Sequence, residues 1–187
     1  MMMSTENCSQ VRAPSIGMRA LHVDDLPQML ALQASVYPPA LLESAQVLAS
    51  KIGAVPAGWT SLAATDGNTL CAYALGYPWR SELQPCWNRP LALQHDCDVL
   101  YLHDVAVSPA YAGRGLANEL VSQLMRQGQQ LGLSRAILIA VEGAQGYWSR
   151  LGFVAIPTGS TDPAFGGDAV LMQRELAPPG SMLLDTA

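Results

Sequence analysis

The chain has 187 residues, half of them apolar, with 13% charged side chains and a net charge of −5. That length and apolar content suit one domain with a substantial core and exclude a disordered or coiled-coil protein. Scattered basic residues in an acidic chain exclude the basic stripe of a nucleic-acid binder, and no apolar run reaches the ~20 residues of a membrane span. The cysteines Cys8, Cys71, Cys86 and Cys97 have no CxxC spacing and no nearby His pair, so reduced thiols and no metal are expected. Met1–Gln10 lacks the charged-then-apolar layout of a secretory signal, which points to the cytoplasm.

Residues 1–15 are polar and expected to be disordered, and 177–187 read as a tail, leaving 16–176 as a single domain. Met18–His22 reads as a first strand, and Asp24 or Asp25 as the cap of a helix carrying Leu26, Met29, Leu30 and Leu32. Ala40–Ile52 reads as a second helix with Leu41, Leu42, Val47, Leu48 and Ile52 as its apolar members. Trp59–Ala64 and Thr69–Tyr77 form a predicted hairpin around Asp66-Gly67-Asn68. Pro78–Asp96 carries Pro and Trp with no period, and a loop of that length in a compact domain points to function or disorder.

Val99–Val107 is apolar except at His103 and Asp104 and reads as a buried central strand. Leu116, Leu120, Leu124 and Leu131, with Val121 and Gly128 beside them, recur at helical spacing opposite a polar face and predict a helix ending near Gly132. Ala136–Val141 is a further strand. Phe153–Ile156 and Ala169–Glu175 make a last pair, joined by the Gly-rich loop Pro157–Asp168. The expected class is mixed α/β in three layers, with a sheet of six to seven strands and helices on both faces.

The run from Val107 to Ala117 is the most informative. A strand ends, a turn containing Gly113 and Gly115 follows, and a helix begins. That order sets free backbone N–H groups and the positive end of a helix dipole at one point, a seat for an anion such as phosphate. A Walker-type loop needs Lys then Ser or Thr after its last glycine, where this chain has Leu116 and Ala117. A dinucleotide fingerprint needs a third glycine, where this chain has Asn118, and an acidic strand end, where Ile137–Val141 is wholly apolar. Neither motif fits.

Ala112-Gly-Arg-Gly115-Leu-Ala117 resembles the Gln/Arg-x-x-Gly-x-Gly/Ala loop of the GNAT acyltransferases, matching at Gly115 and Ala117 and departing at Ala112. Ala144–Phe153 is similar to that family's Ala-x-x-(Leu/Phe)-Tyr-x-x-x-Gly-Phe block, and Val105-Ala106-Val107 resembles the strand that pairs with the pantetheine arm. The resemblance spans roughly Gly17–Leu176, with its specific motifs within Tyr101–Phe153. It implies a sheet splayed between strands 4 and 5, and acetyl-CoA as acyl donor. Val105, Ala106, Val107, Ala112, Gly113, Arg114, Gly115, Leu116, Ala117 and Trp148 would be the coenzyme contacts. A small-molecule amine is the implied acceptor, with acetylation of a protein or peptide and a catalytically silent acyl-CoA sensor as alternatives. A monomer or homodimer is expected.

His103 is the candidate base. Its ordinary pKa is about 6.5, it precedes Val105 by two positions on a regular strand, and Leu102–Val107 is similar to the Leu-His-x-Leu-Ala-Val segment of the arylalkylamine N-acetyltransferases. Asp104 is expected on the opposite face, paired with an arginine. Trp148 stands where the family places a tyrosine that serves as acid, which leaves Tyr147 as the candidate for protonating the sulfur. Glu142 is a weaker candidate for the substrate ammonium. Tyr77, Trp79, Pro85 and Trp87 either line an apolar acceptor pocket or pack their loop onto the sheet.

Overall fold

The computed structural model describes residues 16–53, 61–92, 95–157 and 161–177. The expected disordered segment 1–15 and the tail beyond Ala177 therefore lie outside the described residues, as do Trp59 and Thr60 of the predicted hairpin.

Strand β1 (Gly17–Ala20) leads through a short 3-10 turn into α1 (Leu26–Val36) and then α2 (Ala45–Gly53). The hairpin β2 (Leu62–Asp66) and β3 (Thr69–Trp79) turns at Gly67-Asn68, with Asp66 opposite Thr69. Then come β4 (Val99–Val107), α3 (Leu116–Gln130), β5 (Arg135–Ala140), α4 (Gln145–Arg150), β6 (Val154–Ala155) and β7 (Val170–Glu175). The seven strands form one sheet in the order β1-β2-β3-β4-β5-β7-β6. All neighbours are antiparallel except β4 and β5.

Two local expectations need correction. The second helix begins at Ala45 rather than Ala40, because Pro38 and Pro39 hold a 3-10 turn over Pro39–Leu41. Asp25 does not cap α1 with its side chain. Its carboxylate is taken by Arg19 at 2.6 and 2.7 Å and by the His22 N–H at 2.9 Å.

The sheet separates two apolar layers. On one face α3 lays Leu116, Leu120, Leu124 and Met125 over Ala72, Ala74, Leu100, Leu102 and Leu138. A Cβ at Gly128 would stand 3.2 Å from Leu100 and 3.0 Å from Leu176, so this helix lies close on β4 only because the side chain is missing. On the other face α1 and α2 set Met29, Leu32 and Leu48 over Tyr73, Leu75 and Ala106.

Two features of β4 shape everything that follows. Its pairing with β5 runs only from Val99–Arg135 to Leu102–Leu138, after which the strands part although each keeps its other neighbour. The sheet is thus open between β4 and β5 at their C-terminal ends. On the other side, Leu75 opposes Asp104 while Gly76 opposes Leu102, so His103 is an extra residue, a β-bulge. Alternation is reset at that point. Leu100, Leu102, Val105 and Val107 pack on the α3 face, while Ala106 packs on the α1 face. His103 and Asp104 both turn toward α1 and α2, as their partners show. His103 therefore does not share a face with Val105, and Asp104 does not oppose His103.

Candidate active site

The turn before α3 has the geometry its glycines imply. Gly113 and Gly115 adopt φ of +75° and +77°, the left-handed region that a side chain disfavours. No acceptor among the described residues takes the backbone N–H groups of residues 113–118, which lie at the start of a 15-residue helix. A cavity of about 400 Å³ opens onto them, lined by Val107, Ala112–Asn118 and Tyr147. Arg114 extends over the Tyr111 ring, 4.9 Å from its centre, at the cavity's edge. Such a concentration of unpaired donors at a helix N-terminus fits a diphosphate.

The parted strands hold a second cavity of about 290 Å³, lined by Tyr37, Val105, Ile139, Val141, Glu142, Tyr147 and Trp148. It shares Ala117 and Tyr147 with the first, so donor turn and cleft are continuous. Trp148 fills the cleft wall edge-on to Phe153 at 5.5 Å. The Tyr147 hydroxyl donates to Asn118 Oδ1 at 2.8 Å, and burial raises its pKa. Ala106, expected at the coenzyme, has its side chain buried on the opposite face. The Val105 carbonyl accepts from the Tyr37 hydroxyl at 3.0 Å.

Tyr37 also donates to Asp104 Oδ1 at 2.6 Å, and Asp104 Oδ2 accepts from Gln33 Nε2 at 3.0 Å and from the Tyr73 hydroxyl. Asp104 thus anchors α1 and its exit to β4 through neutral donors instead of pairing with an arginine. Burial, reinforced by the Asp104 charge, pushes both phenols well above their ordinary pKa.

His103 lies in a sealed cluster under α2. Its Nε2 is 2.8 Å from Glu43 Oε2 and 2.7 Å from Lys51 Nζ, and Lys51 Nζ is 2.5 and 2.7 Å from the two Glu43 oxygens. The side chains of all three are at most 2% exposed. Burial works to raise the Glu43 pKa, but His103 and Lys51 outweigh it and hold it at about 2. Burial pushes Lys51 down, against the opposing pull of Glu43. The imidazole lies between Tyr77 and Trp87, with centroids at 5.9 and 6.2 Å, and its Nδ1 is buried with no hydrogen-bond partner among the described residues.

Beside this cluster a third cavity of about 190 Å³ is walled by Tyr77, Trp79, Pro85, Leu91 and Tyr101, with Lys51, Cys86 and Arg89 also on its lining. Three of the four predicted aromatic-loop residues line it. Trp87 instead covers His103 and packs on Phe165. The sequence reading missed Glu43, Lys51, Tyr37 and Gln33. Only Lys51 left a trace, because it follows Val47 and Leu48 by four and three positions on the apolar side of α2.

The acetyltransferase (GNAT) family model matches residues 26–153, a span that includes the donor turn, the opened strands and α4. The chain belongs to this family. GNAT membership makes it an acyltransferase that draws on acetyl-CoA. Comparison with curated protein sequences gives no match. Among solved structures, the ribosomal-protein-S18-alanine N-acetyltransferase of Escherichia coli aligns at 17% identity over 90% of this chain and 99% of its own, with a TM-score of 0.60. The phosphinothricin acetyltransferase of Sinorhizobium meliloti, solved with acetyl-CoA, aligns at 18% identity over 91% and 97%, with a TM-score of 0.61. The loading GNATL domain of CurA from Lyngbya majuscula reaches a TM-score of 0.73 at 13% identity over 87% and 98%. At these identities the likeness is one of fold. No described helix is long and apolar enough to cross a membrane.

Proposed function

We propose that this GNAT protein is an N-acetyltransferase that acetylates a small hydrophobic primary amine by direct attack, with His103 as base. One observation carries the reading. The donor turn and open cleft lie to one side of the β4 bulge, and an aromatic cavity lies on the other, beside the cluster whose imidazole keeps one unpartnered nitrogen.

The N–H groups of 113–118 would hold the diphosphate, Arg114 would add a charge-assisted contact, and Val105, Val107 and Trp148 would line the pantetheine channel. Bound there, acetyl-CoA supplies a thioester carbonyl and a thiolate leaving group whose pKa resembles that of a cysteine, about 8.5. Tyr147 is held to Asn118 and has a raised pKa, so we assign it to shaping the coenzyme channel rather than to donating a proton.

A lysine-like amine with a pKa near 10.4 is unprotonated in roughly one molecule in a few thousand at neutral pH. A base within the site is commonly worth about 10²–10⁴ in rate. His103 Nδ1 is suited to the task because a buried nitrogen without a partner is costly and a substrate N–H would satisfy it. The apolar walls of the 190 Å³ cavity favour a compact aromatic or aliphatic amine over a folded protein surface.

Thiol release from acetyl-CoA, measured with benzylamine, phenethylamine, lysine and short peptides with free N-termini, tests this. Turnover highest on the hydrophobic amines supports it. Turnover confined to peptides replaces it with peptide acetylation. Calorimetric binding of acetyl-CoA with no thiol released on any acceptor makes the protein a sensor.

A further inference from the structure

The contact between His103, Lys51 and Glu43 carries a consequence for how the base works, and this inference rests on the assignment of His103 as base. His103 Nε2 has either one proton or one lone pair, yet it lies within hydrogen-bond distance of a carboxylate and of a lysine nitrogen. It can serve only one of them at a time. If Lys51 is an ammonium, Nε2 accepts from it, the ring proton sits on Nδ1, and the ring has no free basic nitrogen. If Lys51 is an amine, Nε2–H donates to Glu43 and Nδ1 carries the lone pair. The two states differ by one proton: the second becomes the first when Nδ1 takes up a proton and the Nε2 proton crosses the 2.7 Å gap to Nζ.

We propose that Glu43, Lys51 and His103 form a proton relay, with Lys51 as the proton store. As the acceptor nitrogen gives its proton to His103 Nδ1, the Nε2–H bond breaks and a new N–H bond forms on Lys51 Nζ. The ring ends with a single proton, now on Nδ1, and the positive charge rests on an ammonium held by both Glu43 oxygens. Glu43 and Lys51 are positioning residues that act through His103.

Several features support this arrangement. The bulge turns His103 into the cluster, the three side chains are closed off from solvent, and burial lowers the Lys51 pKa. The other titratable groups around Lys51 are Asp104, whose charge raises its pKa, and Tyr77, Tyr101, Cys86 and Arg89, which share the cavity beside it. Glu43 is the only carboxylate in contact with its nitrogen among the described residues.

The test uses the full chain. Lys51→Met leaves Glu43 with an imidazolium as its only counter-charge, so the acid limb of kcat/KM for the best amine moves up by about one pH unit or more. The KM for acetyl-CoA stays unchanged. Lys51→Arg restores a cation for Glu43 but cannot release a proton, so it recovers thermal stability without recovering the rate at neutral pH. Nitrogen-15 spectra of the wild-type imidazole need no variant and decide the matter if these fail to fold. The relay requires the proton on Nε2 and a bare Nδ1 at about pH 7. A ring protonated on Nδ1 there, or a Lys51→Arg enzyme with the wild-type rate and pH profile, overturns it. Should His103→Gln retain full activity, the base assignment itself falls, an outcome distinct from loss of the relay alone.

Discussion

The two sides of β4 are built on opposite principles. The donor turn is almost wholly backbone: glycines at positive φ, unpaired N–H groups and one exposed arginine, all within residues 112–118. The cluster under α2 is wholly side chain, and joins residues 8, 52 and 60 positions apart in the chain. The turn is open and keeps its donors free for a ligand, whereas the cluster is sealed and spends every polar group but His103 Nδ1 within itself. One half therefore depends on conformation and the other on packing, and substitutions should separate them.

The largest expected effect is on the sealed side. Glu43→Ala removes the carboxylate that both Lys51 Nζ and His103 Nε2 contact, and loss of one member of a buried pair commonly costs about 3–5 kcal/mol. Urea unfolding measures it, and a loss below about 1 kcal/mol would show that the cluster relaxes into water.

Acid should attack the same half. The Glu43 pKa is depressed from 4.5 in the unfolded chain to about 2 in the fold, so its contribution to stability is present above 4.5 and is lost as pH falls through that window. The loss is on the order of 3 kcal/mol. Glu43→Gln should flatten the pH dependence of unfolding in the same window, as read from urea midpoints.

Gly115→Ala sharpens the contrast from the open side. A Cβ there meets nothing within 4 Å, so the cost is conformational, about 1 kcal/mol. The new methyl would stand beside the proposed diphosphate seat, and calorimetry should show acetyl-CoA binding weakened about tenfold or more. Smallest is Arg114→Ala, which should leave stability unchanged and reduce coenzyme affinity a few-fold, an effect that fades as salt is raised.

The same division explains what could be read from the chain. Gly113, Gly115 and the helical spacing of Leu116, Leu120 and Leu124 encode local geometry, so the donor turn and α3 were legible residue by residue. The parallel pairing of β4 and β5 and the opening between them agree with the expected splayed sheet. The bulge was not legible. It is fixed by the register of β3, and without it parity places Asp104 on the wrong face and His103 alongside Val105. Glu43 lies between a 3-10 turn and α2, in a segment with no periodicity to mark it. Lys51 resembles an ordinary helix lysine until its place on the apolar side of α2, with Val47 and Leu48, is noticed. Tyr37 and Gln33 are seen to matter only once β4 is placed against α1.

The insertion at His103 makes β4 intolerant of changes in length. Removing a residue on either side of the bulge would exchange the face of every position between the cut and the strand end. Removing His103 alone would restore strict alternation, with Val105, Ala106 and Val107 still on their own faces and only the imidazole lost. Length variation among related chains should therefore collect in the Arg80–Asp98 connection and avoid the strand it leads into.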